Sequence, residues 1–162
     1  MYTMRMQPPK VEPLHFKTYI AVIENSVGST MFRNFYAVIN GEKKDVMEDG
    51  NLSCAFFVSS VLTIFDFIER IHATVFGTVK DLEKSGWQKI KEPKTGAVLV
   101  WEEKINTKGE SHKHIGFYIG ENMAISNDSK TGQPKKHHFT FEETEESRIV
   151  EAIYWLPDMD TK

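Results

Sequence analysis

Cysteine is almost absent from this sequence, since Cys54 is the single cysteine among 162 residues. One thiol forms no intramolecular disulfide, and it supplies too few sulfur ligands for a cysteine-based structural zinc site. Disulfides are rare in reducing compartments, so the sequence favours an intracellular setting and a cytoplasmic localisation. A fold held together by disulfide bridges is therefore excluded.

Long apolar runs and an excess of positive charge are also missing. The chain nowhere holds the roughly 18 consecutive apolar residues of a membrane span, and residues 1–9 contain no apolar run of signal-peptide length. The formal net charge is −3 and the lysines are scattered, whereas a nucleic-acid binder needs a basic stripe against the phosphates. We expect neither a transmembrane segment nor a nucleic-acid partner.

The composition is that of one globular domain. Hydrophobic residues make up 40% of the chain and aromatic residues 12%, which is enough for a core. We expect a single domain over residues 1–162, in which residues 1–13 form an irregular leader because prolines interrupt them.

The first half of the chain is predicted to be mainly helical. In three segments the apolar side chains either recur at helical spacing or cover all sides of a helix, and each of these segments predicts a helix. These are Leu14 to Val27, Ser53 to about Ala73, and Thr78 to Lys84. The dipeptide Asn40-Gly41 follows a short apolar run and is typical of a β-hairpin turn.

The second half is predicted to be a sheet. Short or alternating apolar runs separated by Gly, Pro and Asn are typical of antiparallel strands. The runs are Ala97 to Trp101, His114 to Ile119, Asn122 to Ile125, His138 to Phe141, and Ile149 to Leu156. Helices first and strands second indicate an α+β domain, with the central Cys54 helix packed on a C-terminal antiparallel sheet.

Cys54 is the first candidate for chemistry. It follows Ser53, a natural N-cap, so its thiol is expected in the first turn of the buried helix. Unpaired backbone N–H groups and the helix dipole favour a thiolate there and could stabilise an oxyanion. The alternative is that Cys54 is a small buried hydrophobe, but its flanking residues Asp49 to Ser53 are mostly polar.

His114 is the second candidate. It opens the segment His-Ile-Gly-Phe-Tyr-Ile-Gly, so its imidazole is expected at a strand end. Gly116 lies on the same strand face and leaves room for another backbone or for a substrate. A strand-end imidazole beside a helix-start thiol is the arrangement that a thiol–imidazole pair requires.

These two motifs, in this order, resemble the NlpC family of papain-like cysteine peptidases and the related CHAP amidase domains. The segment His114 to Gly120 is similar to the family's histidine strand, and Lys94 to Trp101 is similar to the strand that precedes it. The resemblance covers roughly residues 50 to 130 and implies a papain-like fold with Cys54 as nucleophile and His114 as base. It also implies a peptide substrate, for this family most often the amide or isopeptide bonds of peptidoglycan.

The resemblance further implies a third polar residue that orients His114. Family spacing indicates Ser126 or, with one residue of variation in turn length, Asn127; Asp128 follows directly. We choose Asn127 because amide orienters are familiar in papain-like enzymes. Ser53, Ser126 and His112 are expected to contact the substrate, and no metal or organic cofactor is implied.

Three other functions remain open. The chain has Ser53-Cys54-Ala55 where the family has Asp-Cys-Ser-Gly, and Ala97 where it has an Asp, which favours a catalytically silent binding module of the same fold. An amidase, deamidase or acyltransferase would use the same residues. The four histidines at 112, 114, 137 and 138 invite a metal site, but no carboxylate stands at convincing spacing. The sequence does not determine the oligomeric state.

Overall fold

The computed structural model describes residues 9–105, 109–142 and 147–161. The helices are α1 (His15–Asn25), α2 (Cys54–Ile64) and α3 (Val75–Lys84), followed near the C-terminus by a 3₁₀ turn, Met159–Thr161. The strands are β1 (Tyr36–Ile39), β2 (Glu42–Asp45), β3 (Gln88–Lys89), β4 (Val98–Ile105), β5 (Ser111–Gly120), β6 (Met123–Asp128), β7 (Gln133–His138) and β8 (Val150–Trp155).

The C-terminal strands form one antiparallel sheet. Its six strands run in the order β3-β8-β4-β5-β6-β7, so β5 and β6 are interior strands and β7 is an edge. Gly116 of β5 stands opposite Ser126 of β6, and Ser126 stands opposite Lys135 of β7. The predicted α+β class is confirmed.

Helices α1 and α2 cover one face of this sheet. The ring of Phe57 from α2 meets Phe117 of β5 edge-on at 5.5 Å, and Tyr19 of α1 meets the same ring at 5.9 Å. The hydroxyl of buried Tyr19 donates to the carbonyl of Gly96 at 2.9 Å. These contacts hold the start of α2 beside the interior strands.

Helix α2 is shorter than predicted. It ends at Ile64, and Asp66 then takes a positive φ of 55°. The following segment is fixed from outside the helix, because Ser59 hydrogen-bonds both backbone groups of His72 and the carboxylate of Asp81 accepts from the N–H groups of Glu69 and Arg70. The prediction of a helix continuing to Ala73 is wrong because these bonds favour a compact loop.

The predicted hairpin is confirmed. Asn40 and Gly41 both have positive φ, 53° and 85°, as a two-residue turn of type I′ requires. The last-but-one predicted strand, His138 to Phe141, is wrong in its bounds, since β7 runs from Gln133 to His138. The polar sequence of β7 lacks the apolar pattern that predicts a strand. Its Pro134 is tolerated because β7 is an edge strand.

In the described ranges no helix combines the length and the apolar character that crossing a bilayer requires.

Candidate active site

A single large cleft contains both residues of the predicted pair. It measures about 1460 Å³ and lies between the start of α2 and strands β4 to β8. Cys54, His114, Ser126, Asn127, His137 and Phe141 are among the residues that line it. The thiol and the imidazole therefore share one solvent-accessible space.

Cys54 is the first residue of α2, as predicted. Its thiol is half-buried, and the backbone N–H groups of Ile115, Ala55 and Cys54 itself lie close to it. Ile115 is the residue after His114, so the thiol lies against the strand that carries the imidazole. Burial nevertheless raises the pKa of Cys54, and this outweighs the N–H groups and the charge of Arg148, which lower it. The expected lowering of the thiol pKa by the helix start is therefore wrong for the resting protein.

Ser53 occupies the N-cap position without capping the helix. Its side chain makes no cap hydrogen bond, and its hydroxyl donates to the carbonyl of Gly50 at 3.1 Å. Ser53 is 0% exposed. The expectation that Ser53 contacts a substrate is corrected accordingly: its side chain stabilises the turn that leads into α2.

His114 is held as a neutral imidazole. Its Nε2 atom lies 2.8 Å from the hydroxyl of Ser126. Burial lowers the pKa of His114 to about 3, and the electrostatic effects of Arg148 and His137 act in the same direction. A neutral imidazole can accept a proton, which is what a general base must do.

Ser126 and Asn127 occupy different positions than the sequence interpretation gave them. Ser126, 2% exposed, lies between His114 and His137. The amide nitrogen of Asn127 donates instead to the carbonyl of Gly50 at 2.7 Å. The residue in contact with the imidazole of His114 is therefore Ser126 and not Asn127, because neighbouring residues on a strand point to opposite faces.

His137 is the site residue that sequence reasoning missed. Its Nε2 atom lies 2.7 Å from the Ser126 hydroxyl, and its ring stacks on Phe141 with centroids 4.0 Å apart. Trp101 packs against both imidazoles, at 5.4 Å from His114 and 5.7 Å from His137. The signal that would have found His137 is strand pairing, which sets it diagonally across from Ser126.

His112 lies at the rim of the cleft. It is half-buried on β5, and its Nε2 atom is 3.5 Å from a carboxylate oxygen of Glu110. The predicted contact of His112 with a substrate stays a prediction.

Neutral imidazoles such as these are common metal ligands in proteins. Within residues 9–105, 109–142 and 147–161, no group of three or more His, Cys, Asp or Glu side chains is arranged to hold an ion. His114 and His137 both direct Nε2 at the Ser126 hydroxyl, which a metal ion would have to replace.

The cleft brings together a thiol, a neutral imidazole that can accept a proton, and the hydroxyl that contacts this imidazole. Cys54 and His114 are both described, and no hydrogen bond joins the thiol to the imidazole. Such bonds are often long before a substrate binds and tighten in the complex. No model of a known protein family matches the chain, and no curated protein matches it either.

Proposed function

We propose that this protein is a cysteine hydrolase of papain-like fold that cleaves an amide or isopeptide bond, with Cys54 as nucleophile and His114 as general base. One observation carries the proposal. The Cys54 thiol lies beside the backbone N–H of Ile115, the residue directly after His114, and both side chains line the same cleft.

The protonation states define how the reaction would begin. Burial raises the pKa of Cys54 and lowers that of His114 to about 3, so both groups are neutral at rest. The thiol proton moves to Nδ1 of His114 as sulfur attacks the carbonyl carbon, because Nε2 is already engaged by Ser126. Backbone N–H groups at the start of α2 stabilise the oxyanion as it forms.

The second half of the reaction uses the same groups. His114 returns its proton to the leaving nitrogen as the C–N bond breaks, which leaves a thioester on Cys54. Water then attacks the thioester, His114 accepts its proton, and the acid product and the free thiol are released. An amidase, deamidase or acyltransferase would share the first step and differ in the leaving group or the acceptor.

The fold supports a papain-like assignment. A helix that begins at the cysteine packs on an antiparallel sheet, and the histidine lies on an interior strand of that sheet. The substrate class, peptides such as those of the bacterial cell wall, follows from the resemblance of the motifs.

Alkylation of Cys54 by iodoacetamide tests the proposed pair. At neutral pH we expect His114→Ala to slow alkylation at least about tenfold, because the proton acceptor is lost. His15→Ala is the matched control, since His15 is exposed on α1. In the parent the rate should rise with pH around a midpoint above the usual thiol range, because burial raises the pKa of Cys54. Equal rates in the parent and His114→Ala would refute the pair.

A binding module without activity is the second candidate. It is favoured by the raised pKa of Cys54 and by the missing thiol–imidazole hydrogen bond between these two described residues. A panel of peptide amides and isopeptides, analysed by mass spectrometry with Cys54→Ala as the blank, separates the two. Cleavage that disappears in Cys54→Ala supports the hydrolase, and binding without cleavage supports the module.

A further inference from the structure

Three side chains and one backbone carbonyl form a continuous hydrogen-bonded chain behind His114. His114 Nε2 lies 2.8 Å from Ser126 Oγ, and Ser126 Oγ lies 2.7 Å from His137 Nε2. On the far side, His137 Nδ1 lies 2.8 Å from the carbonyl oxygen of His138. This set, from His114 to the His138 carbonyl, is called the relay below.

The carbonyl of His138 fixes which atoms donate and which accept along the relay. A backbone carbonyl only accepts hydrogen bonds, so the Nδ1 atom of His137 must carry a proton. Burial lowers the pKa of His137, so its ring is neutral and its Nε2 atom is an acceptor. The Ser126 hydroxyl therefore donates its one proton to His137.

The tautomer of His114 follows from the same hydrogen bonds. Because the Ser126 proton is directed at His137, the Ser126 oxygen is left as an acceptor for His114. Nε2 of His114 must then carry the ring proton, and Nδ1 has the free lone pair. Ser126 is 2% exposed, so bulk water does not compete for either bond.

Packing holds the relay in place. The His137 ring lies nearly parallel to Phe141, at 18°, and Trp101 packs beside it. The indole N–H of Trp101 donates to the carbonyl of Phe139 at 2.7 Å, which anchors the segment that covers the rings. His137 has little freedom to turn its Nε2 atom away from Ser126.

We propose that His137 is a positioning residue that fixes the tautomer of His114 through Ser126, so that Nδ1 of His114 is the atom that accepts the thiol proton. The tautomer follows from the relay alone, while its use in proton transfer rests on the proposed function. No other group in the relay supplies this direction, because Ser126 by itself can donate to either imidazole.

The tautomer is measured directly by long-range ¹H–¹⁵N correlation NMR on the full chain labelled with ¹⁵N-histidine. The signal of His114 is identified by its loss in His114→Ala. In the parent we expect a protonated Nε2 and an unprotonated Nδ1 at neutral pH.

Two substitutions at one position separate tautomer control from packing. His137→Phe keeps a ring on Phe141 but has no acceptor, so the Ser126 hydroxyl should turn and donate to His114. We expect the His114 population to shift toward the Nδ1-protonated form and alkylation of Cys54 to slow about tenfold or more. His137→Gln restores an acceptor at the place of Nε2 and should recover both readouts.

The outcomes decide the two proposals separately. An unchanged His114 tautomer in folded His137→Phe overturns the role of His137, whatever happens to alkylation. If His137→Phe fails to fold, Ser126→Ala serves instead, because it removes the middle of the relay. A single Nε2-protonated form in Ser126→Ala would also overturn the inference. Failure of the His114→Ala alkylation test would instead refute the hydrolase and leave the tautomer result unaffected.

Discussion

At the scale of single residues, the side chains of Ser126 and Asn127 point to opposite faces of β6 and contact different parts of the site. Ser126 contacts both imidazoles. Asn127, 3% exposed, donates to the carbonyl of Gly50 in the turn that leads to Cys54. Ser126 therefore contacts His114, and Asn127 supports the turn that leads to Cys54.

Replacement of Asn127 tests this division. Asn127→Ala removes the amide that reaches the Gly50 carbonyl from β6 and leaves space behind. We expect the free energy of unfolding to fall by about 1–3 kcal/mol, measured by urea denaturation, with the His114 tautomer retained. Asn25→Ala, at the exposed end of α1, is the control and should change stability little. A stability equal to that of the parent would contradict the assignment.

At the scale of elements, Asp45 connects the β1–β2 hairpin to the turn before α2. Its carboxylate accepts from the backbone N–H groups of Phe35, Met47 and Asp49, and from the side-chain amide of Asn34 at 2.7 Å. Burial raises the pKa of Asp45, but these hydrogen bonds outweigh it and lower the pKa to about 2. The ionised form is therefore the one that the fold stabilises.

Acidification should weaken this connection. Because the pKa of Asp45 is lower in the folded protein than its ordinary 3.8, its contribution is complete above the ordinary value and is lost as the pH falls toward 2. Asp45→Asn should reduce the free energy of unfolding by about 1–2 kcal/mol at neutral pH. The difference between parent and variant, from urea titrations at several pH values, should shrink on acidification. A constant difference would argue against the assignment.

The elements also show which features a sequence can predict. The hairpin was predicted because Asn40-Gly41 encodes its turn locally, and the start of α2 because Ser53 and the apolar run mark it. The end of α2 depends on hydrogen bonds from Asp81 and Ser59 to the segment that follows the helix, which no local pattern contains. Strand β7 was misplaced because its Pro134-Lys-Lys segment lacks an apolar alternation.

At the scale of the whole molecule, two glycines allow the loop before Cys54 to cross the β6–β7 turn. A Cβ atom on Gly50 would lie 2.5 Å from Cα of Gly132, and one on Gly132 would lie 2.7 Å from the carbonyl oxygen of Asp49. Both glycines have positive φ, 91° and 66°. The crossing fixes the segment that leads to Cys54 to the sheet that carries His114.

Alanine at this crossing should therefore be costly. Gly132→Ala combines a positive φ with overlap on a backbone atom, and we expect a loss of about 2–4 kcal/mol in the free energy of unfolding. Gly28→Ala is a matched control, because Gly28 has a φ of 78° and nothing within 4 Å of a Cβ; it should lose only about 1–2 kcal/mol. Thermal unfolding of both variants measures the difference, and equal losses would show that the crossing is not tight.

The α+β class and the placing of Cys54 and His114 in one cleft could be predicted, because helix starts, strand ends and chain order are visible in the sequence. The orienting group could not, because a shift of one residue in register exchanges Ser126 for Asn127. The contact between His137 and Ser126 could not be predicted either, because it also depends on strand register. This contact exists only once β6 and β7 are paired.

The last partner in the relay is the carbonyl of residue 138 and not a side chain. Every amino acid that can be encoded at this position carries that carbonyl, so point mutation at codon 138 cannot delete it. An amino-acid substitution at position 138 therefore leaves the direction of the hydrogen bonds in the relay unchanged. Among related sequences, the side chain at 138 could vary without reversing these hydrogen bonds, whereas position 137 would have to keep an acceptor for the Ser126 hydroxyl.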